Sequence, residues 1–322
     1  MEERKNIFHL YPSAEEIDRW ADNLFQEASD NPAAAEKIEP DELDWPNSDN
    51  LPYRYAARHH TGSAYVRFSY QEGRAFYCFW QPVFGGGRRQ APLLIHVPGY
   101  GGEMSAHPEL VSAGYNVLHI NPLGYCTPES MDDKELGDPE DPLSWPQLPD
   151  TITSYGEKGY RQWFRDCINA VSWALKQPEV LPGRFSFFGT SQGGGGSLIL
   201  GSLFSGKGVR AVAADLPYLT NFPLADGRGA YEIAAAALEK AGDRDRAWKA
   251  LGYVDTFSHT HRLTMPVLLT AGGADEMCPP DTVFSLFERL DTIKSYTFLK
   301  ESEHEYTPEF LSLAKGWFDL YA

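Results

Sequence analysis

Residues 185–197 read Phe185-Ser186-Phe187-Phe188-Gly189-Thr190-Ser191-Gln192-Gly193-Gly194-Gly195-Gly196-Ser197. The apolar start predicts a buried strand, and the small residues 197–204 predict a helix. Between them stands Gly-x-Ser-x-Gly. A serine on a tight strand-to-helix turn has its hydroxyl exposed above a sheet, at the N-terminus of a helix whose dipole favours a developing anion. Gly189 and Gly193 are expected to let neighbouring chain pass close to the turn. The alternative is a glycine-rich turn that only packs strand on helix.

A serine hydroxyl is a weak nucleophile without a base, and the base needs an orienting acid. On a turn of this kind the chain order is serine, acid, histidine. Only His259, His261 and His304 follow Ser191. His304 comes just after the last expected strand, at the edge where such loops gather. His259 and His261 precede a strand and read as a surface turn. No carboxylate or further histidine stands at zinc-ligand spacing from them. The strand at 267–270 runs into Ala271-Gly272-Gly273-Ala274-Asp275-Glu276, which places Asp275 as the acid, with Glu276 as its rival. Ser191, Asp275 and His304 are the expected catalytic residues. No metal or cofactor is expected. Two backbone N–H groups are needed for the oxyanion. One is expected from Gln192. The other is expected from Tyr100 in His96-Val97-Pro98-Gly99-Tyr100-Gly101-Gly102.

Outward from this turn, strands at 93–97, 115–120, 185–188, 209–214, 267–270 and 296–299 alternate with helices at 107–113, 161–176, 197–204, 229–252, 281–290 and 308–321. That alternation predicts a mostly parallel sheet with helices on both faces. A hairpin at 65–70 and 75–80 precedes it. Ser13 with Glu16 fits a capping box, opening an amphipathic helix over 12–30. Residues 31–62 read as an extended surface segment. The Gly- and Arg-rich stretch 85–90 reads as a turn, and 121–158 as a long loop without the amphipathic helix of a lipase lid. We expect one domain over 1–322, with 1–62 as an N-terminal extension and 215–262 as a partial cap.

The chain has 322 residues, 42% hydrophobic and 23% charged, an ordinary globular balance. Its 28 basic residues oppose 45 acidic ones, a formal charge of -17. A nucleic-acid backbone or an anionic membrane needs a basic footprint, so neither is expected as a partner. No signal-type apolar segment follows the first residues and no run approaches a membrane span. Cys78, Cys126, Cys167 and Cys278 form no Cys-x-x-Cys and read as reduced thiols of a cytoplasmic protein.

From about residue 60 onward the chain resembles the acetyl xylan esterase and cephalosporin C deacetylase family, carbohydrate esterase family seven, within the α/β-hydrolases. The segments that carry the resemblance are Gly189-Thr190-Ser191-Gln192-Gly193-Gly194-Gly195, Gly99-Tyr100-Gly101-Gly102, Asp275-Glu276-Met277-Cys278-Pro279-Pro280 and His304-Glu305. Asp215-Leu216-Pro217-Tyr218-Leu219 and Leu251-Gly252-Tyr253-Val254-Asp255 add to it. The sequence departs where the family carries Arg-Gly-Gln-Gly: it reads Pro122-Leu123-Gly124-Tyr125. The resemblance implies an α/β-hydrolase fold, hydrolysis of short-acyl esters of sugars or small molecules, substrate contacts at Pro217 and Tyr218, and a homo-oligomer. A serine peptidase or an acyltransferase would use the same three residues. A non-catalytic binding module would be expected to have lost one of them. Trp145 reads as the anchor of an irregular loop, with a sugar-stacking platform as the alternative.

Overall fold

A computed structural model of the chain describes residues 4–38, 62–83, 90–100, 105–122, 138 and 140–322. The stretch 84–89, the segment 39–61, and Gly101, Gly102, Leu123, Gly124, Tyr125 and Cys126 lie outside the described residues. The strands are β1 (Ala34–Ile38), β2 (Ala64–Ser69), β3 (Ala75–Gln81), β4 (Ala91–Val97), β5 (Asn116–Asn121), β6 (Val180–Thr190), β7 (Val209–Asp215), β8 (Val267–Gly272) and β9 (Lys294–Leu299). They form one sheet in the order β1-β2-β3-β5-β4-β6-β7-β8-β9. Pairing is antiparallel from β1 to β5 and parallel from β5 onward. The expected architecture is therefore present, including the hairpin of β2 and β3.

The helices are α1 (Ala14–Asp30), α2 (Pro108–Ser112), α3 (Leu148–Thr153), α4 (Tyr160–Ala174), α5 (Gln192–Leu203), α6 (Phe222–Ala225), α7 (Glu232–Lys240), α8 (Arg244–Gly252), α9 (Pro280–Arg289) and α10 (Pro308–Tyr321). Central strands are covered on both faces, which is why they read as nearly continuous apolar runs. Leu93, Ile95 and Val97 of β4 face a core built with α1, α4 and α5. Leu94 points the other way, into a core with Phe310, Ala314 and Phe318 of α10. The capping box of α1 is formed: Ser13 Oγ accepts from the Glu16 amide and the Glu16 carboxylate accepts from the Ser13 amide. No helix among the described residues is long and apolar enough to cross a membrane.

Four expectations need correction. The region 121–158 is not all loop, because Leu148 and Ile152, four apart, bury one face of α3. The helical stretch 229–252 is two helices. Gly242 interrupts it, and Asp243 caps α8 by accepting from the Arg246 amide at 3.1 Å. The helix expected from residue 197 begins at Gln192: its first turn is made of Gly193–Gly196, which carry no apolar periodicity to read. The 256–262 turn is not a surface turn throughout. His259 is fully buried, with Nδ1 2.8 Å from Ser202 Oγ and Nε2 3.0 Å from the Tyr253 carbonyl.

Candidate active site

Ser191 sits between β6 and α5 with φ 59° and ψ -122°, a backbone state that an L-residue holds only under constraint. Its N–H donates to the Asp215 carbonyl at 2.9 Å, and its carbonyl accepts from the amides of Gly195 and Tyr218, each at 3.0 Å. The two flanking glycines are required sterically. A Cβ on Gly189 would lie 2.2 Å from the Val97 carbonyl oxygen, and one on Gly193 would lie 2.0 Å from the same atom. The end of β4 therefore runs directly under the turn.

The acid and the histidine come from the ends of β8 and β9. Their loops are stitched together: the Gly273 amide donates to the Leu299 carbonyl at 2.8 Å, and the Ala274 amide to Ser302 at 2.9 Å. His304 Nε2 is 2.9 Å from Ser191 Oγ, and His304 Nδ1 is 2.9 Å from Asp275 Oδ2. A carboxylate only accepts, so Nδ1 carries the proton and Nε2 accepts from the serine hydroxyl. Asp275 Oδ1 takes the amides of Met277 and Cys278 at 2.9 and 2.8 Å. The Asp275 side chain is fully buried, whereas Glu276 is exposed.

Both residues expected to supply amide donors lie near Ser191. Gln192 is the first residue of α5, where the N–H has no partner within the helix. Tyr100 lines both cavities that open on Ser191. One cavity, about 430 Å³, includes His96, Ser105, His107, Tyr306 and Leu311. The other, about 320 Å³, includes Tyr100, Trp145, Tyr160, Tyr218, Ile233 and Met277. Tyr218 is thus on a cavity wall, its hydroxyl donating to the Ala230 carbonyl at 2.9 Å. Pro217 is buried against Gly194 and lines neither cavity. The rings of Tyr100 and Trp145 lie 4.9 Å apart, and the Trp145 Nε1 donates to the Asp138 carbonyl at 3.2 Å. Trp145 both anchors its loop and faces a cavity.

Some residues of this region were given no role of their own by the sequence. Asp215, at the end of β7, is 1% exposed and joins three strands: Thr190 Oγ1 donates to Oδ2 at 2.8 Å and Thr270 Oγ1 donates to Oδ1. Burial pushes its carboxyl up to about 6, against the lowering effect of the two hydroxyls. Burial also pushes the Cys278 thiol, beside Ser191, far above its ordinary range. His96, His107 and His119 gather next to the larger cavity from β4, the start of α2, and β5. A signal for two of them was present, since His96 and His119 interrupt otherwise apolar strands.

A serine on a strained strand-to-helix turn, with an acid and a histidine following it in that order at one edge of a mostly parallel sheet, defines an α/β-hydrolase. The family is narrower than the fold. A family model described as Acetyl xylan esterase (AXE1) matches residues 85–319, and the chain belongs to that family, which makes it a carboxylic ester hydrolase. Solved structures agree in fold. Acetyl xylan esterase 1 from Thermoanaerobacterium sp. JW/SL YS485 superposes with a TM-score of 0.74 at 21% identity, covering 97% of this chain and 95% of that one. An acetyl xylan esterase from Paenibacillus sp. R4 gives 0.72 at 20%, covering 99% of each. The Pyrococcus horikoshii acylaminoacyl peptidase gives 0.55 at 13%, covering 80% of this chain and 46% of that one.

Proposed function

We propose that the chain is a serine esterase that removes acetyl and other short acyl groups from small-molecule or carbohydrate esters. The observation that carries this reading is the unbroken line of hydrogen bonds from Ser191 through His304 to Asp275. Ser191 Oγ attacks the ester carbonyl while His304 Nε2 takes its proton. The imidazolium is stabilised by Asp275, whose Oδ2 already faces Nδ1. The oxyanion turns toward the amides of Tyr100 and Gln192, at the positive end of α5. Collapse expels the alcohol, which receives the proton from His304, and leaves the acyl group on Ser191. Water then repeats the sequence with His304 as base, releasing the carboxylic acid.

Short acyl groups are proposed from the family membership, and the cavity walls suggest where the alcohol goes. Trp145 and Tyr100 offer aromatic faces suited to a sugar ring or similar alcohol. Tyr218 is proposed as a substrate contact on that wall, and Pro217 as its support from behind. The segment 215–262 supplies Tyr218, Ala230, Glu232 and Ile233 to the wall, in keeping with a partial cap on a single domain. A cytoplasmic setting is proposed from the buried free thiols of Cys78, Cys167 and Cys278, and a homo-oligomer from the family resemblance.

The test is labelling and turnover together. A serine-directed phosphonate should modify Ser191 alone, and Ser191→Ala should lower p-nitrophenyl acetate hydrolysis by several orders of magnitude. Turnover that survives the substitution would refute the assignment. So would aminoacyl-naphthylamides cleaved faster than any ester.

A further inference from the structure

His96 on β4 and His119 on β5 are register partners on parallel strands, and both are buried. Their Nδ1 atoms are 2.7 Å apart. His107, 3% exposed, brings its Nε2 to 3.4 Å from Ser105 Oγ. The same hydroxyl oxygen lies 3.3 Å from His96 Nδ1 and 3.1 Å from His119 Nδ1. Three imidazoles and one hydroxyl thus converge, each histidine offering a ligand atom within 4.8 Å of the others.

The spacing suits a small tetrahedral ion. With bonds of about 2.0–2.1 Å, the ligand atoms around zinc stand about 3.3 Å apart. The three distances from Ser105 Oγ are near that length, and the His96–His119 separation would open by about 0.6 Å from 2.7 Å to reach it. Burial, reinforced by the neighbouring histidines, holds His96 and His119 well below the ordinary histidine range. Their rings are therefore neutral. A neutral imidazole carries one N–H, so an ion at both Nδ1 atoms needs the proton shared by His96 and His119 to move to an Nε2. Glu109 Oε1 lies 3.5 Å from His107 Nδ1, on the side away from the cluster. A carboxylate in that place orients a metal-binding imidazole.

We propose that His96 Nδ1, His119 Nδ1 and His107 Nε2, with Ser105 Oγ at the fourth position, bind one divalent transition-metal ion of the zinc type. His96 and His107 flank the connection that carries Tyr100. An ion held between them and β5 would fasten both ends of that connection. Its role is structural: it would fix the Tyr100 amide without taking part in acyl transfer. The competing arrangement is a closed hydrogen-bond network, in which His119 donates to His96 and Ser105 donates to His107.

The full chain, freed of metal by chelator dialysis, should bind one Zn²⁺ per molecule in calorimetry and melt at a higher temperature when loaded. With Co²⁺ as the probe, X-ray absorption should show imidazole nitrogens and no sulfur. His107→Gln should weaken Zn²⁺ binding at least tenfold with the near-UV circular dichroism preserved, while Cys278→Ser should leave it unchanged. The last variant matters because Asp275, Cys278 and His304 form a second trio with ligand atoms close together. The proposal is overturned by no binding at millimolar Zn²⁺, by binding that survives His107→Gln, by binding lost in Cys278→Ser, or by a sulfur ligand in the Co²⁺ spectrum. The Co²⁺ measurement uses the unaltered protein, so it decides the matter even if His107→Gln does not fold.

Discussion

Asp275 holds His304 with one carboxylate oxygen and is itself held by the other: Oδ2 is 2.9 Å from His304 Nδ1, and Oδ1 takes two backbone amides of its own loop. The carboxylate cannot rotate without giving up three hydrogen bonds. Asp275→Asn should therefore keep the fold and lose the chemistry. An amide facing Nδ1 favours the wrong tautomer and cannot stabilise the imidazolium, so kcat for p-nitrophenyl acetate should fall roughly 10⁴-fold. Glu276→Gln, on an exposed neighbour, should change kcat by less than about twofold. Equal losses in the two variants would mean that the acid has been misassigned.

Trp145 should matter in proportion to the alcohol. If its ring stacks on a sugar beside Tyr100, Trp145→Ala should raise KM for an acetylated xylooligosaccharide by about 2–10-fold, the range expected for one aromatic contact. Ethyl acetate, which has no ring to stack, should be hydrolysed with nearly unchanged kcat/KM. The acyl side is read separately, from p-nitrophenyl acetate through decanoate. A rate constant that climbs with every added methylene would contradict the short-acyl preference.

Two glycine substitutions should have opposite signs. Gly193→Ala drives a methyl group to 2.0 Å from the Val97 carbonyl, in a place where both partners are backbone. Loss of about 3 kcal/mol or more, or failure to fold, is expected. Gly316 lies in α10 with nothing within 4 Å of an added Cβ. Gly316→Ala should stabilise by about 0.5–1 kcal/mol, seen as a higher urea midpoint at unchanged slope.

Asp215 should make stability fall as the solution becomes less acidic. Its folded carboxyl titrates at about 6, above the unfolded value, so the protonated form is the one that folding favours. That contribution is complete below about pH 4 and is lost as pH rises through 6, a swing of about 3 kcal/mol. Asp215→Asn should flatten this limb in urea melts taken from pH 4 to 7. A slope that persists in the variant would locate the effect elsewhere.

His259 should act in the opposite direction. Burial lowers its folded value to about 4, so its contribution is present above about pH 6.5 and is lost as pH falls toward 4. The Tyr253 carbonyl fixes the proton on Nε2, which leaves Nδ1 to accept from Ser202. His259→Gln should lower stability at pH 7 and reduce its acid dependence below 6.5.

The order of strands and the placement of Ser191, Asp275 and His304 were readable because each rests on local signals: an apolar run, a glycine turn, a chain order. Asp243 as a cap and Gly242 as a break were also present in the sequence, between two stretches that each have helix-forming residues. What could not be read depends on pairs of residues far apart in the chain. The histidine cluster needs β4 beside β5. The Asp215 network needs Thr190 and Thr270 on the two strands that flank β7. The burial of His259 needs α5 behind it. In each case the residue type is ordinary, and only the sheet order gives it neighbours.

The attachment of α1 also has a consequence in time. Tyr11 donates to Asp255 Oδ2 at 2.8 Å, and Asp18 pairs with Arg262, partners that lie 244 residues further along the chain. At about 5–20 residues per second, a ribosome needs roughly 10–50 seconds to make that interval. Throughout it α1 has only part of its final surroundings: Trp20 can meet Phe164 of α4, 5.8 Å away in the finished molecule, but not the turn at 256–262. α1 is thus held in two stages, first against α4 and, only after residue 262 has emerged, by Asp255 and Arg262.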